Sequence, residues 1–286
     1  MFGIFQQRVG AKIILGYLGA VSLMVVAGAL IIVRLIQISA TLADLTQRVA
    51  VDAELSQAMV NQVLAARLYA DRYVTRGEQT DLDAYHEAYA ALEQILGQVR
   101  QQFARSERAQ SLEQLEAAIA DYHTSFEKVA DIIRQRQRLE STVLDVEELT
   151  IANKLTALRV AFNIGSDPQS FLAYGNAQNA FQTMRLNVER YLAHGDERYK
   201  ALFDQDYVQS RAAFASLETV LTDPALRQYC QDAQAALRRY AEGFEAIHTG
   251  RERMKALSVA LLEQRGPSIS WAAVQIAADT RAEFEA

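Results

Sequence analysis

Residues that make turns are scarce in this chain. Among 286 residues there are 13 glycines and 3 prolines, well below average usage. Sandwiches, barrels and open α/β sheets need many tight turns, so the scarcity argues against all three. A single cysteine, Cys230, rules out an intramolecular disulfide and any cysteine-based zinc site. That suits the cytosol, and equally an extracytoplasmic domain stable without cross-links. Positive charge is not in excess either. A net charge of -6 offers no electrostatic footprint to nucleic acid, itself an anion. What is abundant is apolar surface: half of the residues are hydrophobic, which excludes wholesale disorder. The length allows one large domain or two small ones with a sizeable core.

One stretch lacks charge altogether. Residues 13–33 read IILGYLGAVSLMVVAGALIIV, 21 residues without an ionisable acid or base of the Asp, Glu, Lys or Arg type. At about 1.5 Å per residue such a helix spans roughly 30 Å, the thickness of a bilayer core. Arg8 and Lys12 precede it, Arg34 follows, and the first acidic residue is Asp44. The positive-inside rule then keeps residues 1–12 as a cytoplasmic stub. A cleaved signal peptide would have a shorter apolar region, and a buried core helix of this length would carry a polar face. The expectation is an uncleaved anchor in the inner membrane, a single visible span, with the bulk of the chain, 37–286, extracytoplasmic.

Beyond the anchor, apolar residues recur at spacings of three and four. Leu82, Tyr85, Tyr89, Leu92, Leu96, Val99 and Phe103 form one stripe, and Leu112, Leu115, Ile119, Tyr122, Phe126, Val129 and Ile133 another. Both are seams of the kind that antiparallel helices bury against each other. Sustained strand alternation is absent. Breaks fall at Gly77, near Ser106, across Asn163–Pro168, at His194-Gly195-Asp196 and at Thr222-Asp223-Pro224. Glycine suits a left-handed helix end, Ser and Asp suit caps, and Pro suits a first helical position. Six helices result, in the pattern short, short, long, short, short, long, with the long ones near 107–164 and 224–284.

That pattern is an internal repeat. A shift of 118 residues superposes Arg67-Leu68 on Arg185-Leu186, Arg72-Tyr73 on Arg190-Tyr191 and Gly77-Glu78 on Gly195-Asp196. It also brings Tyr89 onto Tyr207, Tyr122 onto Tyr240 and Phe126-Glu127 onto Phe244-Glu245. Heptads alone explain seams, but not two glycine breaks in constant register. The repeat units are about 55–165 and 170–284. The expected fold is therefore all-α: an N-terminal transmembrane helix, then six antiparallel helices forming two stacked four-helix bundles that share the long helices.

The last twenty residues, PSISWAAVQIAADTRAEFEA, carry Asp279, Arg281, Glu283 and Glu285. They form an amphipathic helix and cannot cross a bilayer. Gly266-Pro267 is expected to kink the helix just before it. A last helix that points at the membrane without entering it, with no effector after it, is expected to belong to a longer receptor with a second span and a cytoplasmic signalling module.

Taken together, these features resemble the helical bimodular sensor domain of bacterial transmembrane chemoreceptors and sensor histidine kinases. The local pattern Arg67-x-x-x-Asp71-x-Tyr73, followed by Arg76-Gly77-Glu78, is similar to that family's first helix. The resemblance covers nearly the whole chain. It implies a homodimeric signal-transduction receptor that recognises small organic acids, in some members one per bundle, and Arg67 is the residue it marks.

Charge at a seam is costly unless satisfied, so seam arginines are candidate ligand contacts. Arg136 continues the seam of the third helix, and Arg251, aligned with Ile133, does the same on the last. Arg67 and Arg185 flank the first and fourth helices, with Tyr89 and Tyr207 on their hairpin partners. The candidate small-carboxylate sites are Arg67, Tyr89, Arg136 and Arg251 in the proximal bundle or at midplane, and Arg185 with Tyr207 in the distal one. Guanidinium binds carboxylate bidentately. The competing reading pairs each arginine with a neighbouring Asp or Glu while its stem covers apolar surface. Tyr73, Tyr85, Tyr122 and Tyr240 sit at seams and read as core, and Cys230 reads as a small buried hydrophobe.

Enzyme signatures are poor. Glu245-x-x-His248 and Asp83-x-x-His86 only partly match the di-iron bundle pattern, and no phosphate loop, nucleophile elbow or zinc-protease helix is present. The sequence is read as non-enzymatic, with no catalytic residue, no metal site and no cofactor. The alternative to a sensor is a membrane-anchored helical stalk or interaction protein without a small-molecule ligand. A stalk predicts a continuous apolar seam, whereas a sensor predicts one interrupted by polar groups.

Overall fold

The computed structural model of the protein describes residues 32, 34–37, 39, 50–103, 108–162 and 168–285. Among the described residues there is no strand; the chain is all-helical. A helix over 50–76 is α1. It is followed by α2 (Gln79–Phe103), α3 (Ala109–Leu139), α4 (Asp145–Phe162), α5 (Pro168–His194), α6 (Glu197–Val220), α7 (Pro224–Val259) and α8 (Gly266–Glu285). A π-helical turn, Glu140–Leu144, joins α3 to α4, and another, Ala260–Arg265, joins α7 to α8. Helical hydrogen bonding thus runs unbroken over 109–162 and 224–285. Ser106 and the segment 163–167 lie outside the described residues.

The localisation expected from the sequence is corrected here. Among the described residues no helix is long and apolar enough to cross a membrane, which contradicts an inner-membrane protein with a single visible span. The described helices bury one stripe and carry polar residues elsewhere, as α8 does with Asp279 and Arg281, and that pattern does not fit lipid on all sides. The stub 1–12 and, Ile32 apart, the run 13–33 lie outside the described residues.

Helix ends follow local chemistry. Gly77 and Gly195 have φ of 71° and 65°, a left-handed conformation that costs other residues about 1–2 kcal/mol. Each glycine amide donates to the carbonyl of a tyrosine four residues back, Tyr73 and Tyr191, at 2.7 Å in both cases, which closes the helix. At the helix starts, Asp196 accepts from the Arg198 amide at 2.9 Å and Asp223 from the Ala225 amide at 2.7 Å. Pro224, whose missing N–H costs nothing at a first helical position, follows Asp223. Gly266-Pro267 does not break the last helix. Pro267 has no amide to donate and would clash with the carbonyl four residues back. The π-helical turn ends directly before it, with the Gly266 amide donating to Leu261 O, and so widens the helix where proline needs room.

The chain divides into two compact units. The first comprises Met1–Arg67, Tyr85–Ile119 and Ser268–Ala286; the second comprises Leu68–Ala84 and Ala120–Pro267. In the first unit α1 and α8 run antiparallel, Arg67 donating to Ser270 Oγ at 2.6 Å and Ser56 to Thr280 Oγ1 at 3.3 Å. Its core holds Met59, Val63, Leu92, Val99, Leu115 and Ile276. In the second unit α4 packs on α5 and α7, and α6 on α5 and α7. Its core is a continuous cluster that includes Ile151, Leu158, Phe181, Tyr191, Phe214, Leu237 and Phe244. Lys154 meets Asp232, and Arg239 meets Glu147, both at 2.6 Å, so the two long helices are antiparallel. Ion pairs as exposed as these contribute about 0–1 kcal/mol each. Burying one Leu or Phe contributes about 1.5–3 kcal/mol, so the apolar stripe sets the register.

Residues 118 apart occupy matching environments. Tyr73 meets Phe126 edge to face at 5.9 Å, and Tyr191 meets Phe244 at 5.2 Å. Tyr85 stacks with Tyr89 at 6.2 Å and 16°, and Phe203 with Tyr207 at 6.0 Å and 4°. Leu112, Leu115, Ile119, Tyr122 and Phe126 are buried, and so are Cys230, Ala233, Leu237, Tyr240 and Phe244. At Gly243, matched by Ser125, there is no room for a side chain: a Cβ there would lie 2.7 Å from Val143 Cγ1 in the first π-helical turn. Val143 is short and branched and cannot swing aside. Gly243→Ala is therefore expected to destabilise the chain by about 1–3 kcal/mol, read as a lower urea midpoint. An unchanged midpoint would show that the seam opens freely at that level.

Candidate functional site

The six residues singled out from the sequence do not converge. Arg67 is bonded to Ser270, as above. Tyr89 stacks on Tyr85, and burial, followed by Glu93, whose carboxylate shares a hydrogen bond with the hydroxyl, raises its pKa. Arg136 reaches Glu140 one turn on, at 3.3 Å. Arg185 pairs with Glu148 at 2.8 Å and Glu189 at 3.2 Å. Arg251 donates to the Tyr191 and Leu192 carbonyls at 3.3 and 3.4 Å, and its guanidinium lies 5.4 Å from the Tyr191 ring centroid. It closes the exposed carbonyl end of α5 over Gly195. All four arginines are thus engaged within the protein, Arg136 and Arg185 by carboxylates, as the competing reading has it, and Arg67 and Arg251 by a hydroxyl and by backbone carbonyls instead. Tyr207 lines a cleft.

Other polar groups are engaged too. In the first unit Thr280 accepts from Ser56 and from Arg108 (3.0 Å) and donates to Ile276 O at 2.7 Å, a self-contained polar layer. His248 sits 3.0 Å from Glu197, and Glu245 meets Lys200 at 3.2 Å. Among the described residues no three His, Cys, Asp or Glu side chains are gathered as a metal site requires. Tyr191 is pushed up to about 12, chiefly by burial and then by Glu197, and acts as a core phenol. Cys230 is fully buried, donating to Phe214 O at 3.4 Å.

The cleft lies between α6 and α7 in the second unit. Asp196 and Asp223 start these helices as caps, and the seam holds them antiparallel. Gln231 donates to Glu218 at 2.7 Å, and Gln234 to Glu218 and Phe214 O at 2.8 and 3.3 Å. Those bonds hold the Glu218 carboxyl below the usual range. Beside them Ala212 and Ala215, whose side chains are short, border an open cavity of about 640 Å³. Tyr207, Val208 and Arg211 line it from α6, Gln234, Leu237 and Arg238 from α7. The Tyr207 ring is braced by Phe203 behind and carries the Arg211 guanidinium 5.8 Å from its centroid. Among the described residues neither Arg211 nor Arg238 makes an ion pair with a carboxylate. Two like charges in one cleft repel, and an anion between them relieves that repulsion while a phenol hydroxyl donates to it. In the first unit a smaller hollow of about 350 Å³ beside Phe103 and Leu112 also holds an arginine. That arginine, Arg100, is already paired with Glu116 at 2.6 Å.

Seam reasoning could not find Arg211 and Arg238, because both face outward. In the repeat, 118 residues earlier stand Glu93 and Ala120, so neither arginine has a counterpart in the first copy. No protein-family model matches this chain, and no curated protein matches it.

Two outcomes follow from this geometry. Burial, the largest cause, pushes the Cys230 thiol up to about 11, and thiolate is the reactive form. The folded chain should therefore stay unmodified by an aromatic disulfide reagent at pH 8 and react with one equivalent after unfolding. Rapid reaction in the folded state would contradict the packing. Arg251→Ala should lower stability by about 1 kcal/mol, measured by denaturant titration, through loss of the two carbonyl contacts. No change would mean that water closes α5 equally well.

Proposed function

We propose that this chain is the ligand-sensing region of a signal-transduction receptor and that it binds a small organic acid between α6 and α7. The observation that carries the reading is the cleft where Tyr207, Arg211 and Arg238 converge with neither arginine paired to a carboxylate. The overall resemblance to the helical bimodular sensor domain points the same way. So does the ring of neighbours α4–α5–α6–α7, the arrangement of one of the two four-helix bundles that the resemblance implies. The homodimer and a signalling module outside this chain belong to the same proposal.

An acid held by both helices favours the packing in which α6 and α7 lie closest. The extent of the shift is bounded by the difference in the acid's affinity for the two packings. Since α7 continues through the π-helical turn into α8 without a helical break, a small axial or rotational shift of α7 has a covalent path to the end of the chain. Contacts confined to α5 and α6 would have none.

A second reading is a helical scaffold that holds other proteins and has no small ligand. It is favoured by the internal engagement of Arg67, Arg136, Arg185 and Arg251. A thermal-shift panel of acetate, succinate, citrate and benzoate on the full chain separates the two. An acid present at a hundred times its dissociation constant should stabilise the fold by about 2.7 kcal/mol. The shift should vanish in Arg211→Ala/Arg238→Ala and survive in Arg67→Ala and Arg185→Ala. A shift that outlasts the double substitution would displace the site. No shift with any of the four acids would leave the scaffold reading standing.

A further inference from the structure

We propose that the chain holds one acid, in its second repeat only, and that Glu93 and Glu116 are the specificity-determining residues that keep an acid off the corresponding face of the first. The proposal rests on the acid-binding reading of the α6–α7 cleft.

The two faces share a frame. Tyr89 stacks on Tyr85 as Tyr207 stacks on Phe203, with centroids 6.2 and 6.0 Å apart. Beneath them Leu96 and Phe214, Val99 and Leu217, Phe103 and Leu221, Ile119 and Leu237 are buried at matched positions. The rims differ in charge. One turn beyond the tyrosine stands Arg211 in the second repeat and Glu93 in the first. On the opposing helix Gln234 is matched by Glu116. Beside the tyrosine, charge inverts from Glu93 to Arg211, while further along the rim Arg100 gives way to Glu218, which Gln231 and Gln234 occupy.

Two contacts make the first face a poor acid site. The Tyr89 hydroxyl, which would donate to an acid, is engaged by the Glu93 carboxylate. Arg100, on the same pair of helices, is held bidentately by Glu116, at 3.1 Å through Nε and 2.6 Å through Nη2. An incoming carboxylate meets a like charge at Glu93 and competes with Glu116 for the guanidinium. In the second repeat the corresponding tyrosine carries an arginine over its ring instead, and Gln234 is neutral.

Isothermal titration of the full chain, using whichever of acetate, succinate, citrate and benzoate gives the largest thermal shift, tests this. The wild-type chain should bind one equivalent. Glu93→Arg/Glu116→Gln should bind a second, taking the stoichiometry from one to two, an outcome no merely structural effect produces. The reciprocal Arg211→Glu/Gln234→Glu, which writes the first face onto the second, should weaken binding at least tenfold. Two equivalents in the wild-type chain would overturn the proposal, and so would a folded Glu93→Arg/Glu116→Gln that still binds one. If that variant loses its helical circular dichroism, the reciprocal pair decides, and retained affinity there overturns the proposal. Absence of binding by the wild-type chain with all four acids would sink the acid-binding reading and this proposal together. Wild-type binding with no gain at the first face would sink the proposal alone.

Discussion

A helix of fifty or more residues cannot bury its apolar stripe with short neighbours alone. It needs a second long helix beside it, running the other way and presenting a stripe at the same pitch. Within the second unit that requirement is met by 120–162 against 224–267. The approach of Gly243 to Val143 and the pairs Arg239–Glu147 and Lys154–Asp232 all lie along it. The short helices follow from it. Each α-hairpin closes where a glycine turns left-handed and docks its tyrosine against a phenylalanine of a long helix, Tyr73 on Phe126 and Tyr191 on Phe244. In the second unit the core is one cluster that runs from Leu144 to Ile247. The exposed ion pairs trim the register that burial sets.

Much of this was legible in the residues. The seams from Leu82 to Phe103 and from Leu112 to Ile133, and the breaks at Gly77, Gly195 and Asp223, are where the helices bury and end, because period and cap chemistry are local properties. What was not legible depends on tertiary neighbours. Arg136 and Arg251 interrupt a seam on paper, yet Arg136 turns to Glu140 within its own helix and Arg251 reaches the last carbonyls of α5. A sequence shows where a guanidinium starts, not which of several oxygens its long stem reaches. Nor did periodicity mark Arg211 and Arg238, since outward positions tolerate any polar residue. The apolar run 13–33, from which the span was read, lies outside the described residues apart from Ile32; among the described residues no helix is long and apolar enough to cross a membrane.

The site and the scaffold obey different constraints. Buried apolar residues recur at matched positions through both repeats even where their identity changes, as from Leu96 to Phe214 and from Phe103 to Leu221, because each must fill its own stretch of core. The rim residues answer only to solvent and to whatever docks there, so Glu93 and Arg211 can carry opposite charge on the same frame. That division lets one architecture present two chemically distinct faces without altering its core.

The two π-helical turns have a consequence of their own. Each widens a long helix by accommodating one residue more than an α-helical turn. They occupy Glu140–Leu144 and Ala260–Arg265, overlapping positions once the 118-residue repeat is taken into account. A wide turn puts the residues that follow it out of phase with those before it, so each long helix changes the face it turns to its seam at a corresponding level. In the second case the same turn also leaves room for Pro267, which has no amide to give to an α-helical bond.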